Sequence, residues 1–201
     1  MDSDLAEAVS ALRAVFEQRK HPLELGGADK SLVEEIRKHI RLPARFRTFL
    51  LEANPVRVEA VSPVERVRLL PAAELLEEQK GFALDENLAP RADAKDGWKK
   101  SWIIVARSTL LGDPYFLDVA KTDAEGDCPV YTAMSGTDRW DARLCGSSFA
   151  QFLRIVAASM EIGAGFGDAI MDDDDEASFR EALGARIKPI DPAALRAGHW
   201  N

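Results

Sequence analysis

Three apolar runs follow one another between Ser101 and Thr132, joined by connections too short to carry a returning helix. Ser101-Trp102-Ile103-Ile104-Val105-Ala106 is rich in β-branched and aromatic residues. So are Tyr115-Phe116-Leu117-Asp118-Val119 and Pro129-Val130-Tyr131-Thr132. Gly112-Asp113 marks the first turn, and Asp123 to Asp127, with Gly126, forms the second connection. Short links of this kind join neighbouring antiparallel strands. The centre of the chain is therefore expected to be an antiparallel sheet, and the remaining segments must cover it.

Those segments read mainly as helices. Leu5, Val9, Leu12 and Phe16 recur at helical spacing and predict a helix from Leu5 to Arg19, ended by His21-Pro22. Leu25-Gly26-Gly27 reads as a loop. A second amphipathic helix is expected from Ser31 to Ile40, with Ser31 as its cap and Glu34 completing a capping box. Pro43 opens a third, whose inward stripe is Phe46, Phe49, Leu50 and Ala53. Asn54-Pro55 stops it, and the alternation of Val56, Val58 and Ala60 predicts one strand. From Ser62 to Leu69 a helix start and a strand remain alternatives. Pro71 to Gln79 reads as a short helix closed by Gly81, and residues 82–97 as a polar loop.

Ser148 is placed to cap a helix whose buried face is Phe149, Phe152, Leu153, Val156 and Met160. Gly163, Gly165 and Gly167 read as a linker. The acidic run Asp172 to Glu176 is expected to lead a helix containing Phe179, Leu183 and Ile187, where its carboxylates favour the positive helix end. Asp191-Pro192 reads as the start of a last short helix. The expected class is α+β: a single domain with a central, largely antiparallel sheet flanked by helices. Residues 1–30 read as an N-terminal helical extension, 31–160 as the core, and 161–201 as a C-terminal helical extension.

Charge narrows the function. Lys and Arg number 26 against 34 Asp and Glu, a formal net charge of -8. Phosphate backbones repel such a molecule, so direct nucleic-acid binding is not expected. The cluster Arg37, Lys38, His39 and Arg41, with Arg45 and Arg47, reads as a solvated face. Two cysteines, Cys128 and Cys145, are too few for a disulfide scaffold. The opening MDSDLAEAVS lacks a secretory pattern, and no long apolar stretch suggests a membrane span. A cytoplasmic location is the expectation.

No pattern of catalysis emerges. His21, His39 and His199 form no metal motif with each other or with the cysteines. The acidic run lacks the alternating oxygens and central glycine of a calcium loop, and so does the set Asp118, Asp123, Glu125 and Asp127. There is no nucleophile elbow and no phosphate-binding glycine loop. No catalytic, metal or cofactor-binding residue is assigned, and no cofactor is expected. The aromatics suggest contacts instead: Trp98 beside Lys99, and Trp140 between Arg139 and Asp141, are candidate interface anchors.

The order of motifs resembles the SUKH superfamily, which includes fungal cell-wall synthesis regulators and many bacterial proteins. Leu42-Pro43-Ala44-Arg45-Phe46-Arg47-Thr48-Phe49-Leu50 is similar to the family's Leu-Pro aromatic helix. Trp102 to Ala106, then Gly112-Asp113-Pro114-Tyr115-Phe116-Leu117-Asp118, resembles its hydrophobic strand, Gly-Asp turn and aromatic strand. Val130-Tyr131 and Ser148-Phe149-Ala150-Gln151-Phe152-Leu153 stand where its next strand and closing helix are expected. Asn54-Pro55 departs from the usual Asn-Gly. The resemblance covers residues 30 to 160 and implies a non-catalytic protein-binding domain. Many bacterial relatives are immunity proteins that neutralise toxins, and a basic toxin domain would suit this chain's charge. A regulatory or scaffold protein without a toxin partner, and a small hydrolase with an unrecognised site, are the alternatives. Asp113 and Tyr115, on the shared turn, join Trp98, Arg139 and Trp140 as candidate interface residues.

Overall fold

The computed structural model describes residues 1–91, 97–136, 139–166 and 173–201. The three apolar runs form strands β5 (Trp102–Ser108), β6 (Pro114–Asp118) and β7 (Val130–Thr132). They lie within a six-stranded sheet. Its other members are β3 (Glu59–Val61), β4 (Arg66–Leu69) and β8 (Arg143–Gly146). The order is β3-β4-β5-β6-β7-β8, every pair antiparallel, so the sheet is an uninterrupted meander. Alternate turns of a meander fall at the same end. The β3–β4, β5–β6 and β7–β8 connections therefore gather at one end of the sheet, called the turn end below.

The helices are α1 (Ser3–Arg19), α2 (Lys30–Ile36), α3 (Ala44–Ala53), α4 (Leu75–Glu78), α5 (Phe149–Gly163), α6 (Asp173–Ile187) and α7 (Pro192–Arg196). Helix α5 touches both edge strands, β3 and β8, and so spans one face of the sheet. It is almost entirely apolar inward, with Phe149, Phe152, Leu153, Ile155 and Met160 fully covered. Helices α1 and α6 pack on α5, and α7 packs against β8 and α6. One buried cluster runs from Leu5 through the sheet to Trp200.

The start of α5 shows how side chains far apart in sequence complete a helix. Its first N–H groups have no partners within the helix. The Ser148 hydroxyl accepts from Gln151 N at 3.1 Å, as the sequence predicts. The Asp127 carboxylate accepts from Phe149 N at 2.9 Å and from Ala150 N at 3.4 Å. Asp127 also binds Arg45 Nη1 at 3.2 Å, and Arg45 reaches Asp2 and Asp4 at the start of α1. One carboxylate thus joins the starts of α5, α3 and α1. Arg45 is therefore part of this internal network and not of a solvated basic face.

A second polar group is buried at the middle of the sheet. Strand β4 ends beside Ala106 of β5, which leaves the backbone of Ile104 without a strand neighbour on that side. The fully buried Gln79 supplies one: its Nε2 donates to Ile104 O at 2.9 Å, and its Oε1 accepts from Ile104 N at 2.9 Å. The side-chain amide acts as one more residue of the ladder.

Several expectations are corrected. Leu25-Gly26 is not loop: Glu24–Gly26 forms β1, paired with β2 (Asn54–Val56) in a separate two-stranded sheet. The single strand expected through Val56, Val58 and Ala60 is two strands in two sheets, because Arg57 takes a left-handed φ of 57° between them. Helix α2 is capped by Asp29, which accepts from Ser31 N at 2.7 Å, so the cap lies two residues before the expected Ser31. The open stretch from Ser62 resolves as a turn followed by β4. Gly163 is the last residue of α5 rather than linker, and a Cβ there would sit 2.8 Å from Pro63 Cδ. Gly167, Asp172 and residues 92–96 of the 82–97 loop lie outside the described residues.

Candidate functional site

Hydrophobic side chains inside a folded protein are hidden, so large exposed ones mark surfaces worth attention. Among the described residues these are Leu110, Leu111 and Met134, at 49%, 69% and 60% exposure. All three sit at the turn end. Leu110 and Leu111 are on the β5–β6 turn, and Met134 follows β7. Asp113 holds the two turns together: its Oδ1 accepts from Ser135 N at 2.6 Å, while Ser135 Oγ donates to Gly112 O at 3.3 Å. Gly112 has a φ of +76°, a left-handed conformation that suits glycine at this tight turn.

Behind the turns lies a polar chain. Glu65 is buried, and its carboxylate accepts from Ser108 Oγ at 2.7 Å, from Arg66 N at 2.8 Å and from the Tyr115 hydroxyl at 3.0 Å. Ser108 Oγ in turn accepts from Leu111 N at 3.1 Å, so the buried carboxylate braces the exposed turn. Burial raises the Glu65 pKa, and the neutral donors around it oppose that rise. Because the Tyr115 hydroxyl donates to Glu65, it accepts from His199 Nε2, 3.0 Å away. Burial first, and then the charges of Arg180 and Arg143, lower the His199 pKa to about 4. Trp200, next to it, is buried and donates through Nε1 to Cys145 O at 3.0 Å. Val64, Leu111, Arg180, Leu183, His199 and Trp200 border a cavity of about 150 Å³ above Glu65.

This chain has a testable pH signature. The folded pKa of His199 lies below its ordinary 6.5, so the unfolded chain binds that proton more readily. Its contribution to stability is present above pH 6.5 and is lost as pH falls toward about 4. Glu65, shifted up, acts in the opposite sense: protonation favours the folded state as pH falls through its raised value. His199→Gln keeps an N–H donor and removes the titration. The variant's melting temperature is expected to fall less than that of the parent across this acid window. Parallel curves would mean that His199 is not held neutral by its surroundings.

The sequence-derived candidates divide. Asp113, Arg139 and Trp140 all belong to the turn end, and Tyr115 lies at its base. Tyr115 is fully buried with its ring 5.3 Å from that of Phe152, so it supports the surface from within. Trp98, the other candidate anchor, is also buried, at 3% exposure. The reason is a second cover. Phe82, Phe116, Trp140 and Trp102 surround Trp98 with ring centroids 4.8 to 5.3 Å away, on the sheet face opposite Tyr115. Trp140 is half-buried and lies over this cluster, and Arg139 is exposed. Sequence reasoning passed over Leu110 and Leu111. The signal was an apolar pair placed directly before Gly-Asp, inside a turn instead of a strand.

Among the described residues no group of three or more His, Cys, Asp or Glu side chains could hold a metal ion. Both cysteines are buried and unbridged. Burial pushes the Cys128 thiol up to about 12 and the Cys145 thiol well above its usual value, so neither is a ready nucleophile at neutral pH. No helix among the described residues is long and apolar enough to cross a membrane.

The architecture is that of an α+β domain, its antiparallel sheet covered by helices on one face and by an aromatic cluster on the other, with its exposed apolar side chains on turns. Residues 28–155, more than half the chain, match the SMI1 / KNR4 family (SUKH-1), and the chain belongs to that family. The match begins just before α2 and ends within α5. Comparison with curated proteins finds no match.

Proposed function

We propose that this protein is a non-catalytic protein-binding domain of immunity type, which neutralises a toxin by docking through the turn end of its sheet. One observation carries the reading: Leu110, Leu111 and Met134 are exposed on two turns held side by side by Asp113. Asp113 lies on the same turn as the two leucines, and Arg139 and Trp140 lie on the β7–β8 connection that also carries Met134; interfaces are commonly built with an apolar centre and a polar rim. The net charge of -8 steers a basic partner toward the molecule. Membership of the SUKH-1 family supports a protein partner.

The test is a tagged pull-down from the native organism under toxin-producing conditions, comparing the parent with a Leu110→Asp, Leu111→Asp, Met134→Asp variant. The parent is expected to enrich one toxin-like protein. The variant is expected to recover at least about tenfold less of it, with an unchanged thermal melt, because desolvating three new carboxylates opposes docking. Equal recovery by both proteins would remove the turn end as the interface. A reproducible partner without toxin character would favour a regulatory role.

A further inference from the structure

The opposite end of the sheet, where β5 begins and β6 ends, has a different character. A cavity of about 160 Å³ opens there between the α2–α3 connection and the segment before β5. Its floor is apolar: Ile40, Leu84, Ile103 and Val119 line it, each at least nine-tenths buried. Its charged or protonatable lining groups are His39, Arg41 and Lys100. An open trough of about 480 Å³ adjoins it, sharing His39, Ile40 and Arg41 and adding Arg37 and Lys38. Among the described residues no carboxylate lines either space, in a chain whose net charge is -8.

Glu34 pairs with Arg37 at 2.7 Å, and Glu35 with Lys38 at 2.5 Å and with His39 Nε2 at 3.6 Å, at the end of α2. Exposed pairs three residues apart on a helix are weak, so an incoming carboxylate can replace either one. Arg41 stands exposed where the two spaces meet and makes no ion pair among the described residues. His39 is fixed by its Nδ1 contact with Leu88 O at 3.1 Å, which ties the trough wall to the loop beneath.

We propose that this trough binds an acidic peptide segment of a partner protein, anchored by one apolar side chain in the Ile40–Ile103 cavity. The apolar hole sets the register of the segment, and the cations around it select carboxylates. This division of labour, a buried anchor within a charged rim, is the usual basis of peptide capture. The inference is independent of the turn-end reading, since it concerns the other end of the sheet and the opposite sign of charge.

The test uses a short fluorescein-labelled peptide of glutamates around one phenylalanine, followed by fluorescence anisotropy on the whole chain. Saturable binding that weakens as salt rises is expected. Arg41→Glu combined with Lys100→Glu should weaken it at least about tenfold. Arg186→Glu, which reverses an exposed cation on α6, should leave it unchanged. Equal binding of a peptide with serine in place of phenylalanine would overturn the proposal, because charge alone would then explain it. Absence of binding, or equal loss in Arg186→Glu, would do the same. Comparable affinity for a single-stranded oligonucleotide would replace the peptide with a polyanion of another class.

Discussion

Asp127→Ala is expected to destabilise the fold by about 3–5 kcal/mol, the range for breaking a buried, hydrogen-bonded ion pair. Asp127 is 1% exposed and accepts from the backbone N–H groups of Cys128, Phe149 and Ala150. Alanine would leave all three donors facing a cavity, and each buried unpaired donor is costly. It would also take from Arg45 its one buried carboxylate, leaving only the more exposed Asp2 and Asp4. Asp127→Asn keeps an acceptor for the helix start but loses the charge, so its cost should be clearly smaller. Urea unfolding at neutral pH, with the slope compared between variants, measures both. A loss under about 1 kcal/mol for the alanine variant would show that Asp127 does not organise the three helix starts, since surface-like substitutions fall in that range.

The position of Asp127 also shows why some of the structure was legible in sequence and some was not. Ser148 caps the helix that follows it directly, so spacing alone announces it. Asp127 caps the same helix from beyond an intervening strand pair, and in sequence it is only one of several acids near a turn. The same distinction separates β5 from β1. Strand β5 carries a long apolar run that demands burial. Strand β1 is three residues whose extended form depends on pairing with Asn54–Val56, which no local pattern declares.

The candidate surface divides along similar lines. The Gly-Asp turn was visible because glycine and aspartate punctuate local chain direction. The burial of Trp98 was not, because it depends on Phe82 and Trp140 arriving from separate segments. Likewise, the exposure of Leu110 and Leu111 follows from the geometry of the turn; in sequence they look like the end of the apolar strand before them. Three of the five residues proposed from sequence, Asp113, Arg139 and Trp140, stand at the turn end outside the core. The apolar residues that give this end its character came only from the fold.

Phe152→Ala is expected to cost about 3–5 kcal/mol, the range for truncating a buried phenylalanine. The side chain is fully buried, 5.3 Å from the Tyr115 ring and 6.5 Å from that of Phe149, measured between centroids. Its backbone is pressed against β8, where a Cβ at Gly146 would lie 2.8 Å from Phe152 N. Helix and strand are already in contact, so the chain cannot collapse into the space the ring leaves, and the cavity term is retained. The effect should also reach the turn end. Tyr115 packs on Phe152 and donates to Glu65, which binds Ser108, whose hydroxyl holds Leu111 N. Native-state hydrogen exchange at Leu111 and Ser135 should therefore quicken in Phe152→Ala by more than at α3 amides such as Leu50. A near-neutral unfolding result would sink the packing argument. A uniform rise in exchange would instead show global destabilisation without a connection from the core to the surface proposed for docking.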